Sequence, residues 1–270
     1  MSMPRLSIER EAFAACLAGA DPRLAFCYGP QDPVRFLGGF DAVVLDPGHR
    51  HPLPVDSRAP QWLAYLSLGE ILSCAPGFTR MPPAWRIGRN ADWGSWIIDQ
   101  AQPGWPGFLV EEIARPIWWQ GYQGFFLDTV DSYALLEQAP DLGLQQRAGL
   151  VRTVLALREA FPTAVIVLNR GFELLPSVHH AVDAVAFESL YQGWNQAAHR
   201  YQAVAAQDRD WLLAQAEQVS AHGLPVIAID YCPPQAHALA RDTRARIRRH
   251  GLVACIEEAY LQASDPDQPC

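Results

Sequence analysis

GFFLDTVDSY, residues 124–133, opens with an apolar run, Phe125-Phe126-Leu127, that reads as a strand buried on both faces. It then delivers Asp128 and, three residues later, Asp131. A lone aspartate after a strand is ordinarily a turn residue. It means something else if other strands of the chain end the same way. Strand-like runs do recur, at Leu24–Gly29, Ala42–Pro47, Trp62–Glu70, Gly124–Asp131, Ala164–Gly171, Val182–Ser189, Leu224–Cys232 and Gly251–Glu257. Several are nearly continuous in Val, Ile, Leu, Ala and Phe, as suits a parallel sheet covered on both faces.

Helical patterns lie between the runs. Leu144–Phe161 carries Leu144, Val151, Val154, Leu155 and Leu157 along one stripe and turns Arg147, Arg152 and Arg158 outward. Two further helical segments stop at Gly223 and Gly251, natural C-caps, just before the next strand. Eight strands alternating with helices predict right-handed βαβ units and an α/β fold, a closed (β/α)8 TIM barrel in one domain over 1–270, with its core at about 24–258. The alternative, an open doubly wound sheet, lacks a GxGxxG after the first strand. One connection is abnormal. Residues 71–123, after the third strand, hold Trp85, Trp93, Trp96, Trp105, Trp118 and Trp119, six of the nine tryptophans. Long insertions of this kind tend to be functional.

At 270 residues and 50% hydrophobic, the chain can bury a large core. No apolar run approaches the roughly 20 residues a membrane span needs. The first twenty residues are broken by Arg5, Glu9, Arg10 and Glu11, unlike a secretory signal, so the chain as given reads as cytoplasmic. A net charge of −8 argues against nucleic acid and suits a neutral or cationic partner. The arginines at 241, 244, 246, 248 and 249 fall at helical spacing, where a helix C-terminus favours cations. Six cysteines without a CxxC predict neither a disulfide framework nor a zinc site.

Active sites of barrels gather at the C-terminal ends of strands. Those ends carry Tyr28, Asp46, Glu70, Asp128, Asn169, Glu188 and Asp230. Packing alone gives no reason to collect five carboxylates at one mouth, where like charges repel. Carboxylates without other chemistry point to glycoside hydrolysis, one as nucleophile or base and one as general acid. Asp128 and Glu188, on the fourth and sixth strands, can face one another across a cleft. The HxH at His49 and His51 falls short of the three protein ligands of a catalytic zinc. No GxSxG is present, and no metal or other cofactor is expected. Trp93, Tyr191 and Trp194 are candidate sugar-stacking contacts; packing is the alternative for each.

The blocks FCYGPQDP, FDAVVLDPGH, YLSLGE, GYQGFFLDTVDSY, LNRGFELLP, FESLYQGW and GLPVIAIDYCPP together resemble glycoside hydrolase family 114 over roughly Leu24–Glu257. The resemblance implies a (β/α)8 barrel and endo-acting, retaining, metal-free cleavage of α-1,4-linked galactosamine or N-acetylgalactosamine polymers. It places the nucleophile on Asp128 and the acid/base on Glu188, with Tyr28, Asp46, Glu70, Asp131, Asn169, Asp230 and Tyr231 lining the subsites. Such a polymer is extracellular or periplasmic and, when partly deacetylated, cationic, which the −8 charge suits. The last strand, Ala254-Cys255-Ile256-Glu257, departs from the Pro-aromatic-Val pattern usual in the family. Two alternatives stand beside this reading: a sugar-binding barrel without turnover, and a hydrolase of another α-linked hexosamine or galactoside.

Overall fold

Runs of β-branched and aromatic residues too short for helices become strands, and the stretches patterned at 3.6 residues become the helices that cover them. A computed structural model of the protein describes residues 8–28, 39–48, 53–54, 60–136 and 140–258. Helix α1 (Ile8–Leu17) comes first, followed by β1 (Leu24–Cys27), β2 (Ala42–Leu45) and β3 (Gln61–Ser67). The insertion supplies β4 (Glu70–Ile71), β5 (Arg86–Asn90) and β6 (Ser95–Ile98). It continues through α2 (Trp105–Phe108), a π-helical stretch at Leu109–Ala114 and α3 (Arg115–Trp118). Then come β7 (Gly124–Asp128), α4 (Pro140–Ala160), β8 (Val165–Asn169), α5 (Leu175–Val178) and β9 (Ala184–Glu188). A hairpin of β10 (Gln192–Asn195) and β11 (Arg200–Ala203) precedes α6 (Ala206–Ala221), β12 (Val226–Tyr231), α7 (His237–Arg248) and β13 (Val253–Glu257).

Eight strands, in the order β1-β2-β3-β7-β8-β9-β12-β13, form one parallel sheet that curls nearly into a barrel. All eight predicted strands are present, and the helices before β12 and β13 end at Gly223 and Gly251 with φ of 76° and 73°. Because side chains alternate along a strand, each strand splits its residues between two cores. Val43, Leu45, Phe125, Ile166, Val185, Phe187 and Ala228 face the helices. Phe26, Val44, Leu63, Phe126, Val167, Ala186, Ile229 and Cys255 fill the barrel interior.

Helix α1 belongs to that inner core. Its Phe13 and Leu17 pack against the interior residues, and Arg10 Nε bonds Asp183 Oδ1 at 2.7 Å, just ahead of β9. The Gln61 side chain, at the start of β3, donates to the Glu9 carbonyl at 2.7 Å. α1 therefore plugs the N-terminal end of the barrel and leaves the C-terminal mouth for chemistry.

Most of the insertion's tryptophans are packing residues. Trp105 is fully buried, with Trp85 edge-on at 6.4 Å and Phe108 stacked at 5.9 Å. Trp118 lies against Phe125 and Phe161, and Trp96 takes the guanidinium groups of Arg86 and Arg89 on its ring. The arginines of α7 are likewise engaged at its C-terminal end: Arg246 stacks on Tyr191 at 3.9 Å and Arg248 pairs with Asp21. The cysteine expectation needs correction, because Cys74 is disulfide-bonded. Cys16, Cys27, Cys232 and Cys255 are free. No described helix is long and apolar enough to cross a membrane.

Candidate active site

The alternation that fills the barrel also decides which side chain each strand presents at its C-terminal end. Continuing the inward positions upward gives Tyr28, Asp46, Tyr65, Asp128, Asn169, Glu188, Tyr231 and Glu257, one residue from each strand. In strand register Tyr231 lies beside Glu257, and Glu188 beside Ile229 one layer below.

Asp128 ends β7 and is held from two sides. Tyr65 Oη donates to its Oδ2 and Asn169 Nδ2 to its Oδ1, both at 2.8 Å. Burial pushes the Asp128 pKa up, against the opposing hydrogen bonds from the Thr129 backbone, Tyr65 and Asn169. The next residue, Thr129, sits at φ 59°, a left-handed conformation that a β-branched residue adopts at a cost of about 1–3 kcal/mol. Its hydroxyl holds it there, bonded to Ser67 Oγ at 2.7 Å and to the Gly69 amide at 2.9 Å. A Cβ at position 69 would lie 2.1 Å from the Thr129 carbonyl oxygen, so only glycine permits this approach. On the next strand Arg170 is also left-handed, at φ 57°, and its guanidinium donates to the Glu188 carbonyl at 2.8 Å.

Glu188 ends β9. Tyr231 Oη donates to its Oε2 at 2.7 Å, and the peptide to Ser189 is cis. Tyr28 packs edge-on against Tyr65 at 5.1 Å. Its pKa is driven up by burial and then by the negative charges of Glu188, Asp128 and Glu257. Tyr65 and Tyr231 are raised likewise, by burial first and then by Asp128 and Glu188 respectively. All three phenols stay protonated, and Tyr65 and Tyr231 donate to the two carboxylates.

Several residues expected at the mouth have other engagements. Asp230 is fully buried, and its carboxylate accepts the amides of Leu190 at 2.6 Å and of Tyr191 and Gln192 at 2.8 Å. It faces away from the barrel interior and ties down the turn that follows Glu188. Asp230→Asn should lower the unfolding free energy by about 2–4 kcal/mol, because one carbonyl oxygen cannot serve three buried amides. A shift in urea midpoint at constant m would measure it.

Glu70 accepts Asn90 Nδ2 at 3.0 Å, Ser132 Oγ at 2.5 Å and the hydroxyl of Ser95. It pins the β4-β6-β5 sheet to the turn after β7. Tyr191, buried, bonds His250 Nε2 at 2.7 Å behind the sheet. Trp93 is 48% exposed in the turn between β5 and β6. Trp194, on β10, packs on Tyr201 at 5.0 Å and borders the inner core. Asp131 is exposed, close enough to raise the Asp128 pKa slightly. Asp46 is exposed, with Oδ1 accepting the Gly48 amide at 2.7 Å. His49 and His51 lie outside the described residues.

Reading strand ends one by one missed Tyr65 and Glu257. Counting in twos from the core positions of β3 and β13 would have found both. Glu257 accepts the Phe26 amide on Oε1 at 3.0 Å, and burial pushes its pKa up to about 8. Asn169 Oδ1 is buried and has no hydrogen-bond partner among the described residues. The same amide's Nδ2 is already committed to Asp128, which leaves Oδ1 as an acceptor for a ligand N–H or O–H.

An inward ring of carboxylates braced by phenols and an amide, at the C-terminal mouth of a parallel barrel, is a glycosidase arrangement. Similarity to known proteins identifies the family. The solved glycoside hydrolase domain of PelA from Pseudomonas aeruginosa shares 35% identity, with 90% of this chain and 96% of that one covered and a TM-score of 0.80. Ega3 of Aspergillus fumigatus, solved in complex with galactosamine, has the same fold at 15% identity, with 90% and 92% covered and a TM-score of 0.64. No curated protein matches. The model of glycoside-hydrolase family GH114 matches residues 11–268, and with the barrel and its ring of acids already in place, the chain belongs to that family of glycoside hydrolases.

Proposed function

We propose that this glycoside hydrolase is a retaining endo-glycosidase of α-1,4-linked galactosamine/N-acetylgalactosamine polysaccharide, with Asp128 as nucleophile and Glu188 as acid/base. The observation that carries the pairing is that Asp128 and Glu188 are the inward residues at the C-terminal ends of β7 and β9, and each has a phenol of its own, Tyr65 and Tyr231. Two acids on the inward faces of the fourth and sixth barrel strands, one strand apart, therefore flank a single space.

In the first step an Asp128 oxygen forms a bond to the anomeric carbon, the glycosidic C–O bond breaks, and Glu188 gives its proton to the departing oxygen. In the second, water replaces the Asp128 ester at the same carbon, and Glu188 takes the proton back. Tyr65 and Asn169 hold both Asp128 oxygens, so the nucleophile is oriented before substrate arrives. Asn169 Oδ1, beside the nucleophile and without a hydrogen-bond partner among the described residues, suits a donor on the sugar such as a C2 amine or amide N–H.

The polymer class is supported by the similarity to the PelA domain, by the galactosamine bound to Ega3, and by this chain's net charge of −8, which favours a cationic, partly deacetylated chain. Incubation with partly deacetylated α-1,4-galactosaminogalactan should release new reducing ends as a ladder of oligosaccharides. Polymer binding without new reducing ends would overturn the assignment.

A further inference from the structure

The barrel has one junction without a backbone ladder. β1 and β13 stand at opposite ends of the strand order, and among the described residues no backbone hydrogen bond joins them. A buried strand edge leaves N–H and C=O groups that must find partners. Here side chains of β13 provide them. Glu257 Oε1 accepts the Phe26 amide at 3.0 Å, and Cys255 Sγ donates to the Leu24 carbonyl at 3.5 Å. Phe26 is buried, so without Glu257 its amide has neither water nor a ladder to turn to. Two residues beyond Phe26 is Tyr28, and across the register from Glu257 is Tyr231, the donor to Glu188.

We propose that Glu257 is a positioning residue, closing the barrel by holding β1 onto β13 and thereby setting Tyr28 and Tyr231 around Glu188. Its effect on turnover rests on the role given to Glu188 above; its effect on the seam does not. Burial favours the neutral carboxylic acid form of Glu257 and pushes its pKa up to about 8. Glutamine has the same shape and carries the same carbonyl acceptor, so it should take the Phe26 amide equally well. Alanine removes the acceptor.

The test uses Glu257→Gln and Glu257→Ala in the whole chain, with two readouts. Amide hydrogen exchange at Phe26, measured near pH 4.5, should accelerate about 100-fold or more in the alanine variant and stay within about threefold of wild type in the glutamine variant. Exchange at Phe126, in the continuous part of the sheet, should move in neither, which separates a local opening from general instability. On cleavable polymer the alanine variant should lose about tenfold or more in kcat with KM within about threefold, and glutamine should restore it. Unchanged Phe26 exchange in the alanine variant, or a glutamine variant as open as the alanine one, would overturn the seam role. An opened seam with kcat intact would overturn the positioning role. Should wild type cut no galactosamine polymer, the exchange data still decide on the seam, and the failure belongs to the substrate reading.

Discussion

Asp128→Asn should lower kcat/KM by about four orders of magnitude while leaving the protein folded, and Glu188→Gln should do nearly the same on the natural polymer. The two losses differ in kind. Asparagine cannot form the glycosyl ester, and its amide N–H₂ would meet the donor from Tyr65 or Asn169, two groups that now both point at carboxylate oxygens. No choice of leaving group should rescue it. Glutamine at 188 keeps an oxygen for Tyr231 but has no proton to give. A substrate with an acidic phenol leaving group needs no such proton, so the first step should recover by about a hundredfold or more with that substrate. Steady-state kinetics on polymer and on an aryl glycoside, with circular dichroism as the check on folding, separate the two roles. The acid limb should also move. Asp128 must be ionised to attack, and burial raises its pKa, so activity should fall away at a higher pH than an ordinary aspartate would give.

Wild type should also lose stability as pH rises, the reverse of the usual carboxylate effect. Glu257 has its pKa raised from 4.5 to about 8 in the fold. Between those values the folded chain holds a proton that the unfolded chain has released, so each pH unit lowers the unfolding free energy by up to about 1.4 kcal/mol. The penalty is absent below the unfolded value, grows across this window and is constant above it. Ionisable groups around Glu257 are Cys27 on β1, Tyr28 just past it, Cys255 on β13, Tyr231 on β12, Arg244 on α7 and neighbouring Glu258. Arg244 opposes the shift without cancelling it. Asp128 and Asp230 are raised too, and they contribute in the same direction. Comparing wild type with Glu257→Gln cancels their part. Glutamine should match wild type near pH 4.5 and exceed it by a few kcal/mol at pH 8.5, read from denaturant midpoints. Parallel curves would show that Glu257 ionises freely in the folded protein.

The eight strands were legible because each is a compact apolar run closed by a turn, and both helical C-caps were legible as glycines. The mouth was legible only in part, and β12 shows why. Val226–Tyr231 is buried along its whole length, so hydrophobicity does not alternate and cannot say which of Asp230 and Tyr231 points inward. Charge drew attention to Asp230, whereas the barrel turns it toward the Leu190–Gln192 amides and sends Tyr231 to Glu188. The same happened at β3, where Glu70 lies past the strand in the insertion's sheet and Tyr65 is the inward residue. Glu257 was passed over because its strand departs from the family pattern. Its partner, the Phe26 amide, lies 231 residues away in sequence and is visible only once the barrel has curled. Cys74 illustrates the same limit, since no local spacing announces its disulfide.

The central claim, that Asp128 is the nucleophile of a retaining hydrolase, is tested most directly by trapping the covalent intermediate. Glu188→Gln mixed with an activated aryl galactosaminide should form the ester quickly and hydrolyse it slowly. Intact-protein mass spectrometry should then show the added mass of one sugar, and peptide mapping should place it on Asp128 within GFFLDTVDSY. An adduct on another residue, or rapid phenol release with no adduct and an inverted first product, would contradict the account.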